Sequence, residues 1–404
     1  MIAKVARQVR DGAPVLVRTV GRRAVKRAAS PLLAVARASG LFGLASGFVS
    51  AHEARDSLER AGVKALAIDL SGPPRTLRPL GQGDAPPALK PTTTVATLFD
   101  GGVESLSFRD NLVIDPWGRV VFPRATDEDG RQFTLRDLRP WRVPLERPRR
   151  VRGSIAYLSD TSVQNFGHWM LYVFPLVGLY REYLGDDPDF FYLGKRTQAW
   201  HYDSLAELGI SRERILTDAV SGDRMLAAIA DSTFPTPTRF LDFTTSALRL
   251  PPDPSEPSRR IYISRRLRPT RPLANEEACL AVLERHGFRS YCTEMLTLRE
   301  ERELFANAEA VVAVHGAGVA NLLLCPEGCV VVELFAHCFT STWFAEACAA
   351  RGQVYASLHG EPMTARGLPG KHQPVFIDTA KLDEVLAAAT ESVAASRDRD
   401  LLTT

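Results

Sequence analysis

Two short segments combine histidine, glycine and amide side chains at points where an apolar run ends. The first is Asn165-Phe166-Gly167-His168-Trp169, and the second is His315-Gly316-Ala317-Gly318, which directly follows the apolar run 311–314. Parallel strands present their carboxyl ends at one edge of a sheet, and ligands bind there. The two segments are therefore the first candidates for a functional site.

The second segment has the composition of a phosphate-binding turn. Gly316 and Gly318 let backbone N–H groups approach an anion, and a helix beginning after the turn would add the positive end of its dipole. His315 could hydrogen-bond the same ligand or satisfy backbone groups around the turn. Glycines alone are weak evidence, because a tight strand-to-helix turn also needs them. Their placement after the third predicted strand of this part of the chain favours phosphate binding.

Arg265 stands at the predicted carboxyl end of strand 260–264. A guanidinium at that point can hold a diphosphate through paired, charge-assisted hydrogen bonds. Three further arginines in the same loop are interpreted as solvated background: Arg266, Arg268 and Arg271.

Glu333 lies inside the apolar run 330–335. An acid in a buried strand needs a partner. Ribose hydroxyls could supply it, and a structural ion pair with Arg or Lys is the alternative.

The first segment could supply a general base. His168 could act as this base, because an imidazole can take a proton from a hydroxyl nucleophile. In the alternative interpretation Asn165 caps a helix while His168 and Trp169 pack beneath it. The residues alone leave both interpretations open.

Several other chemistries are disfavoured. The chain has no Gly-x-Ser-x-Gly nucleophile elbow, which argues against an α/β-hydrolase. Cys325 and Cys329 flank an ordinary Pro-Glu-Gly turn without a second ligand pair, so no metal site is predicted. The six cysteines lie on apparently apolar segments, which predicts buried, reduced thiols and a cytoplasmic protein.

Strand and helix patterns alternate along most of the chain, which predicts an α/β fold with parallel sheet. The predicted elements include a β-hairpin over 112–122, a helix from about His168 to Leu184 and a capping box formed by Thr297 and Glu300. The segment 251–258 contains four prolines and is the best candidate for a domain linker. The predicted organisation is a basic N-terminal arm (1–51), an α/β domain on the acceptor side (52–250), the linker (251–258) and a nucleotide-binding domain (259–404).

Charge is unevenly distributed along the sequence. The chain has 404 residues and a net charge of +3, yet residues 1–50 contain nine basic side chains and one acid. A mildly acidic body with a basic arm is unlike a general nucleic-acid binder. Residues 1–40 are predicted either to lie on an anionic membrane surface or to form a solvated extension. No apolar run is long enough to predict a transmembrane helix.

The two segments, the intervening Ile263-Ser264-Arg265 and the continuation from Asn321 to Pro326-Glu327-Gly328 and Val331-Val332-Glu333-Leu334 together resemble glycosyltransferase family 61. That family includes bacterial capsule and other polysaccharide biosynthesis proteins, and the resemblance spans about residues 95–360. It implies two Rossmann-like domains facing a cleft, as in glycosyltransferases of the B type. It also implies inverting transfer from a nucleotide-sugar co-substrate to a glycan or glycolipid hydroxyl, with no obligatory metal and no other cofactor.

The resemblance also implies roles for individual residues. The diphosphate would be held by Arg265 and by His315, Gly316, Ala317 and Gly318. Asn321 would belong to the donor site, and Glu333 would approach the nucleoside. His168 and Asn165 would face the reacting centre, with Asp160 as a competing base. The enzyme would be cytoplasmic, or peripheral on the inner face of the membrane. A non-catalytic nucleotide-binding protein of a polysaccharide assembly or export system is the alternative.

Overall fold

The computed structural model describes residues 47–73, 75–109, 111–122, 147–160, 162–230, 236–363 and 370–403. These residues form a mixed α/β structure built on two sheets. Nearly all of the predicted basic arm, residues 1–46, lies outside the described residues.

The elements before the proline-rich segment are mostly short. The strands are β1 (Gly47–Ser50), β2 (Lys64–Asp69), β3 (Arg78–Pro79), β4 (Val95–Gly101), β5 (Ser107–Arg109), β6 (Leu112–Ile114), β7 (Arg119–Phe122), β8 (Arg149–Tyr157), β9 (Phe190–Tyr192), β10 (Ile215–Leu216) and β11 (Val220–Ala230). The helices are α1 (Ala51–Arg60), α2 (Phe166–His168), a π-helical turn (Trp169–Val173), α3 (Leu176–Leu184), α4 (Ala199–Ala206), a 3-10 turn (Arg212–Arg214) and α5 (Thr238–Leu248).

Strands and helices alternate regularly beyond that segment. The strands are β12 (Arg259–Ile263), β13 (Phe288–Tyr291), β14 (Ala308–Val314), β15 (Val330–Phe335) and β16 (Val354–His359). The α-helices are α6 (Glu276–Arg285), α7 (Leu298–Ala306), α8 (Trp343–Ala350) and α9 (Thr379–Thr403). The 3-10 helices are Thr293–Met295, Ala317–Leu324 and Gly370–His372.

The first sheet has ten strands and is mixed. β11 lies at its centre, antiparallel to β4 and β5 and parallel to β8. The parallel part continues from β8 through β9 to β10. Alternate residues of β11 enter different cores: Leu226 and Ala228 pack beneath the helices, whereas Met225 and Ala227 face the opposite cluster. This period of two is what a strand between two apolar layers requires.

The second sheet is parallel, with the order β13-β12-β14-β15-β16-β3. Within 259–404 the strands follow the doubly wound order 2-1-3-4-5, whose switch point lies between β12 and β14. The carboxyl ends of these two strands lead to Arg265 and His315. Topology therefore places the two predicted phosphate-binding elements beside each other.

One hydrophobic core extends from the first sheet to the second. The same cluster contains Trp169 and Leu241 from the first half and Val311, Leu322 and Phe344 from the second. The 3-10 helix Ala317–Leu324 contacts α2, α5, α7 and α8, and so touches helices from both halves. The relative position of the halves is thus fixed by buried apolar surface.

The structure differs from the sequence predictions in four helical regions and one strand. The helix predicted from about His168 to Leu184 is interrupted by the π-helical turn and by Pro175, which precedes α3. The apolar run after the His-Gly-Ala-Gly turn forms a 3-10 helix of eight residues. α5 and the long α9 were not predicted, and neither was the central strand β11.

Other predicted elements are confirmed. β6 and β7 form the expected hairpin, Thr297 and Glu300 form the predicted capping box, and 251–258 contains no helix or strand. The segment around β3 was placed in the first domain from sequence, yet β3 pairs with β16 at the edge of the second sheet.

Two further observations concern the surface and the thiols. Across the described ranges, no helix is both long and apolar enough to cross a membrane. Five of the six cysteines are buried thiols, as predicted. Cys338 is exposed, because it lies in the turn after β15 rather than in an apolar element.

Candidate functional site

The two segments singled out in the sequence meet in the folded chain. Helix α2, which contains Gly167 and His168, contacts the 3-10 helix that begins at Ala317. A Cβ atom added to Gly167 would lie 3.4 Å from the Cα of Ala317. The two turns therefore lie close together at this point.

Asn165 holds the start of α2. Its Oδ1 accepts hydrogen bonds from the backbone N–H groups of Gly167 at 2.9 Å and His168 at 3.3 Å. This is an N-cap, and it satisfies two backbone donors that a helix leaves unpaired. The contacts of Asn165 agree with the structural alternative and not with a direct contact to a reacting group.

Asp160 and His168 form a pair beside this helix. Asp160 Oδ2 lies 3.4 Å from His168 Nδ1, and the side chains are 31% and 24% exposed. The Oδ1 atom of Asp160 accepts from the backbone N–H of Ser162 at 2.5 Å, which fixes the carboxylate. His168 Nδ1 is buried and makes no hydrogen bond within the described residues. A small movement of the ring would complete a bond from Nδ1–H to Asp160.

Aromatic rings from both halves surround His168. Its ring centroid is 5.9 Å from that of Tyr172 and 5.3 Å from that of Trp343, both in edge-to-face geometry. Trp343 begins α8 in the second half, so a residue from beyond the linker contacts the candidate base. Neither aromatic residue was predicted as part of the site, because nothing in the sequence brings 172 and 343 together.

A second histidine, His201, packs against the segment between Asp160 and α2. Its Nε2 lies 3.0 Å from the carbonyl oxygen of Val163, and its ring stacks on Trp200 at 3.7 Å. Burial lowers the pKa of His201 to about 4, so the ring is neutral near pH 7. His201 therefore serves as a structural support for the segment between Asp160 and α2.

His315 points into the second half of the core. Its Nδ1 lies 2.5 Å from Oε1 of Glu333, while Oε2 of Glu333 accepts from the hydroxyl of Tyr355 at 2.8 Å. Glu333 is fully buried and His315 is 4% exposed. The partner of the buried acid is thus a histidine and a tyrosine, not the Arg or Lys considered from sequence. In this geometry both carboxylate oxygens are occupied, and Glu333 orients His315.

Asn321 is also fully buried, on the 3-10 helix. Its Nδ2 donates to Oε1 of Glu301 at 3.3 Å, and its Oδ1 lacks a partner among the described residues. Burial raises the pKa of Glu301 to about 8. The carboxyl group is therefore largely protonated at pH 7, and Asn321 packs against it rather than facing the turn.

Arg265 lies directly against Gly316. An added Cβ at Gly316 would overlap Nη1 of Arg265, so only glycine leaves room for the guanidinium at this point. Arg265 Nη2 donates to the carbonyl oxygen of Thr270 at 3.0 Å. Burial, aided by the positive charge of Arg271, lowers the pKa of Arg265 to about 10, and it remains a cation at neutral pH.

More positive charge surrounds this guanidinium than the sequence suggested. Arg271 was interpreted as background, yet its charge acts on both Arg265 and His372. Lys371 and His372 reach the same place from the C-terminal segment and were not predicted. Nε of Arg268 lies 2.5 Å from Oε1 of Glu294, and the Arg268 side chain is exposed, as the sequence interpretation expected.

Among the described residues, no cluster of three or more His, Cys, Asp or Glu side chains could hold a metal ion.

Comparison with known families adds an independent observation. Residues 166–332 match the model of a family described as Glycosyltransferase 61. The match contains His168, Arg265 and the His315–Gly318 turn but covers less than half of the chain. It supports the resemblance to glycosyltransferase family 61 and a glycosyltransferase activity, which implies a sugar donor and an acceptor. No curated protein matches the sequence.

The Glu301 carboxyl group should make stability depend on pH. Its pKa rises from 4.5 to about 8 on folding. The free energy of unfolding should therefore fall as the pH rises from about 4.5 to about 8. Glu301→Gln removes this loss and keeps a hydrogen-bonding group beside Asn321. At pH 7 we expect the variant to be more stable by roughly 3 kcal/mol.

Urea unfolding at pH 5, 7 and 8.5 measures this effect. The gain of Glu301→Gln should be small at pH 5, grow up to about pH 8 and then level off. Glu303→Gln, an exposed carboxylate on the same helix, is the control and should show no such dependence. A Glu301→Gln gain that is equal at all three pH values contradicts a raised pKa.

Proposed function

We propose that this protein transfers a sugar from a nucleotide-sugar donor to a hydroxyl of a glycan or glycolipid acceptor. The observation that supports it best is the contact between α2 and the turn that follows β14. This contact joins the Asp160–His168 pair of the first half to the turn that packs on Arg265 in the second. A base and an anion site are the two elements that such a transfer needs.

The second half is the donor side of this proposal. Arg265 and the backbone of Gly316 to Gly318 lie at the switch point of the parallel sheet, where doubly wound sheets bind nucleotides. Negative charge grows on the diphosphate as the glycosidic bond breaks. A buried guanidinium that is already in place stabilises that charge without reorganisation, which is worth several kcal/mol in comparable sites. Glu333 holds His315 behind the turn, and no metal is required in this scheme.

The first half is the acceptor side. The acceptor oxygen attacks the anomeric carbon, the bond from that carbon to the diphosphate oxygen breaks, and the nucleoside diphosphate leaves with the bonding electrons. His168 Nε2 takes the acceptor proton. Asp160 accepts from Nδ1–H and so keeps Nε2 free as the base. Attack from the face opposite the leaving group inverts the anomeric centre.

The cellular setting belongs to the same proposal. The chain would act in polysaccharide biosynthesis, as two Rossmann-like halves in the manner of type B glycosyltransferases. The basic residues of segment 1–40 would hold it at the cytoplasmic face of the membrane, near a lipid-linked acceptor.

Membrane attachment can be measured with liposomes. The full chain should co-sediment with vesicles that contain anionic lipid, and binding should decrease as salt increases, because the attraction is electrostatic. A chain that lacks residues 1–40 should stay in the supernatant. Equal binding by both chains contradicts a role for the arm.

The Asp160–His168 pair gives a second prediction, which concerns catalytic activity. His168→Gln should lower kcat by about 10² to 10⁴ while leaving the KM for the donor nearly unchanged. Asp160→Asn should lower kcat and shift the pH profile, because the histidine loses its orienting carboxylate. Initial rates with a cognate donor and acceptor measure both effects.

Asp218→Asn is the matched control, since Asp218 is 74% exposed and its Oδ1 lies 4.0 Å from Nζ of Lys195. It should retain the wild-type rate. A His168→Gln variant with normal kcat excludes His168 as the base. If only Asp160→Asn is inactive, the carboxylate itself is the base.

The packing of Arg265 on Gly316 gives a third prediction. Gly316→Ala should displace the guanidinium and reproduce the effect of Arg265→Ala on donor turnover, a loss of at least 10²-fold. The backbone of Gly316 is extended, so alanine introduces no backbone strain. Thermal unfolding should therefore change little.

Gly102→Ala is the control, because its added Cβ has free space. If Gly316→Ala retains full turnover, the position of Arg265 against the turn is unimportant. If Gly316→Ala unfolds the protein, the Arg265→Ala rate alone decides the role of the guanidinium.

A panel of nucleotide sugars tests the proposed function as a whole. A donor that binds only the folded chain must raise its apparent stability. The donor that stabilises the protein is then supplied with glycan acceptors, and transfer is followed by release of nucleoside diphosphate. Stabilisation without transfer or hydrolysis would indicate the non-catalytic nucleotide-binding protein.

A further inference from the structure

The C-terminal segment before α9 returns to the loop that follows β12. The backbone N–H of Ala274 donates to the carbonyl of Val375 at 2.7 Å, and the N–H of Val375 donates to Pro272 at 2.9 Å. Arg271 donates through its backbone to His372 at 3.4 Å. These bonds hold residues 371 and 372 against the loop although about a hundred residues separate them in sequence.

The same loop is bonded to Arg265. The guanidinium donates to the carbonyl of Thr270, next to Arg271. Burial, together with the charges of Arg271, Lys371 and Arg265, lowers the pKa of the His372 imidazole, so these three cations lie within electrostatic range of it. Side chains from two distant parts of the sequence thus converge at the switch point.

Two polar atoms in this region are buried without partners. Arg265 Nε and His372 Nδ1 have no exposed surface and make no hydrogen bond with any described residue. Leaving such groups unpaired costs free energy, and most buried polar groups in proteins are satisfied. The two atoms are therefore available to hydrogen-bond with a ligand.

The charge in this region indicates the kind of ligand that would bind there. Four groups that can be positive stand together, and the acid that attracts Arg265, Glu294, is bonded to Arg268. Like charges at short range repel, so an anion bound between them would stabilise the arrangement. A single phosphate offers one tetrahedral group, whereas a diphosphate offers two groups and more negative charge to span the Arg265 side and the Lys371 side.

We propose that Lys371 and His372 complete a diphosphate site with Arg265 and Arg271, so that the segment before α9 binds the terminal phosphate of the nucleoside diphosphate. This inference rests on the proposed function, because it concerns the leaving group of that reaction. It assigns binding residues outside the matched segment 166–332.

Protonation of His372 gives a readout that a structural role would not move. Burial, with the charges of Arg271, Lys371 and Arg265, lowers the pKa of His372 in the absence of a ligand. A bound diphosphate reverses the sign of the local field and raises that pKa. Binding should therefore take up a proton, and affinity should increase as the pH falls towards the ordinary pKa of histidine.

Isothermal titration with inorganic pyrophosphate tests the proposal on the full chain. Lys371→Met and His372→Asn should each weaken binding about tenfold, as expected for loss of a hydrogen bond to a charged group. Lys381→Met is the matched control, because this exposed lysine contacts Glu361 in the same C-terminal region. It should bind pyrophosphate like the wild type. In two buffers of different ionisation enthalpy, proton uptake should appear in the wild type and vanish in His372→Asn.

The outcomes separate this proposal from the proposed function. If both Lys371→Met and His372→Asn bind pyrophosphate with wild-type affinity, Lys371 and His372 are not part of the diphosphate site. Donor turnover by the same variants would still support the proposed transferase function. Absence of pyrophosphate binding by the wild type also overturns the diphosphate site. Thermal unfolding of each variant shows whether it is folded, and His372→Gln provides a second test if His372→Asn is not.

Discussion

The packing of one short apolar helix fixes most of this structure. The 3-10 helix Ala317–Leu324 contacts helices from both sheets, and its leucines are almost fully buried. Burial at about 25 cal/mol per Å² of apolar surface makes such a contact stabilising, and it leaves the two halves little freedom to separate. The turn that precedes this helix is consequently held against α2. The segment Asn165–Trp169 therefore lies close to the turn on which Arg265 packs. The chemistry proposed for the chain depends on that contact.

Most polar residues of the two segments form hydrogen bonds within the protein. Asn165 caps α2, Glu333 holds His315, and Asn321 packs on the protonated Glu301. Only a few polar groups are left to meet ligands, chiefly His168 with Asp160 and the cations around Arg265. This division has a physical reason: a buried polar group that is left unsatisfied is costly, so the groups that shape the turns must bond to each other.

The two candidate centres differ in their electrostatics. Around Arg265 positive groups are concentrated with little compensating charge, and burial lowers the pKa of that guanidinium without discharging it. Around His168 the rings of Tyr172 and Trp343 pack edge-to-face on the imidazole, and the Asp160 carboxylate lies beside it. A positive site suits a phosphorylated leaving group, and an imidazole beside a carboxylate suits proton transfer from a hydroxyl.

The sequence by itself determined the α/β class, the second parallel sheet and the α7 capping box, and it singled out Arg265 and the His-Gly-Ala-Gly turn as candidate site residues. These follow from local patterns: apolar runs, turn residues and caps depend on neighbours within a few positions. It missed β11 and α5, and it assigned the β3 segment to the first domain, although β3 pairs with β16 in the second sheet. Only the tertiary structure paired Glu333 with His315, placed Trp343 beside His168 and gathered Lys371 and His372 around Arg265. Those pairings join residues far apart in the chain, and they are decided by which buried surfaces and charges fit together once the sheets have formed.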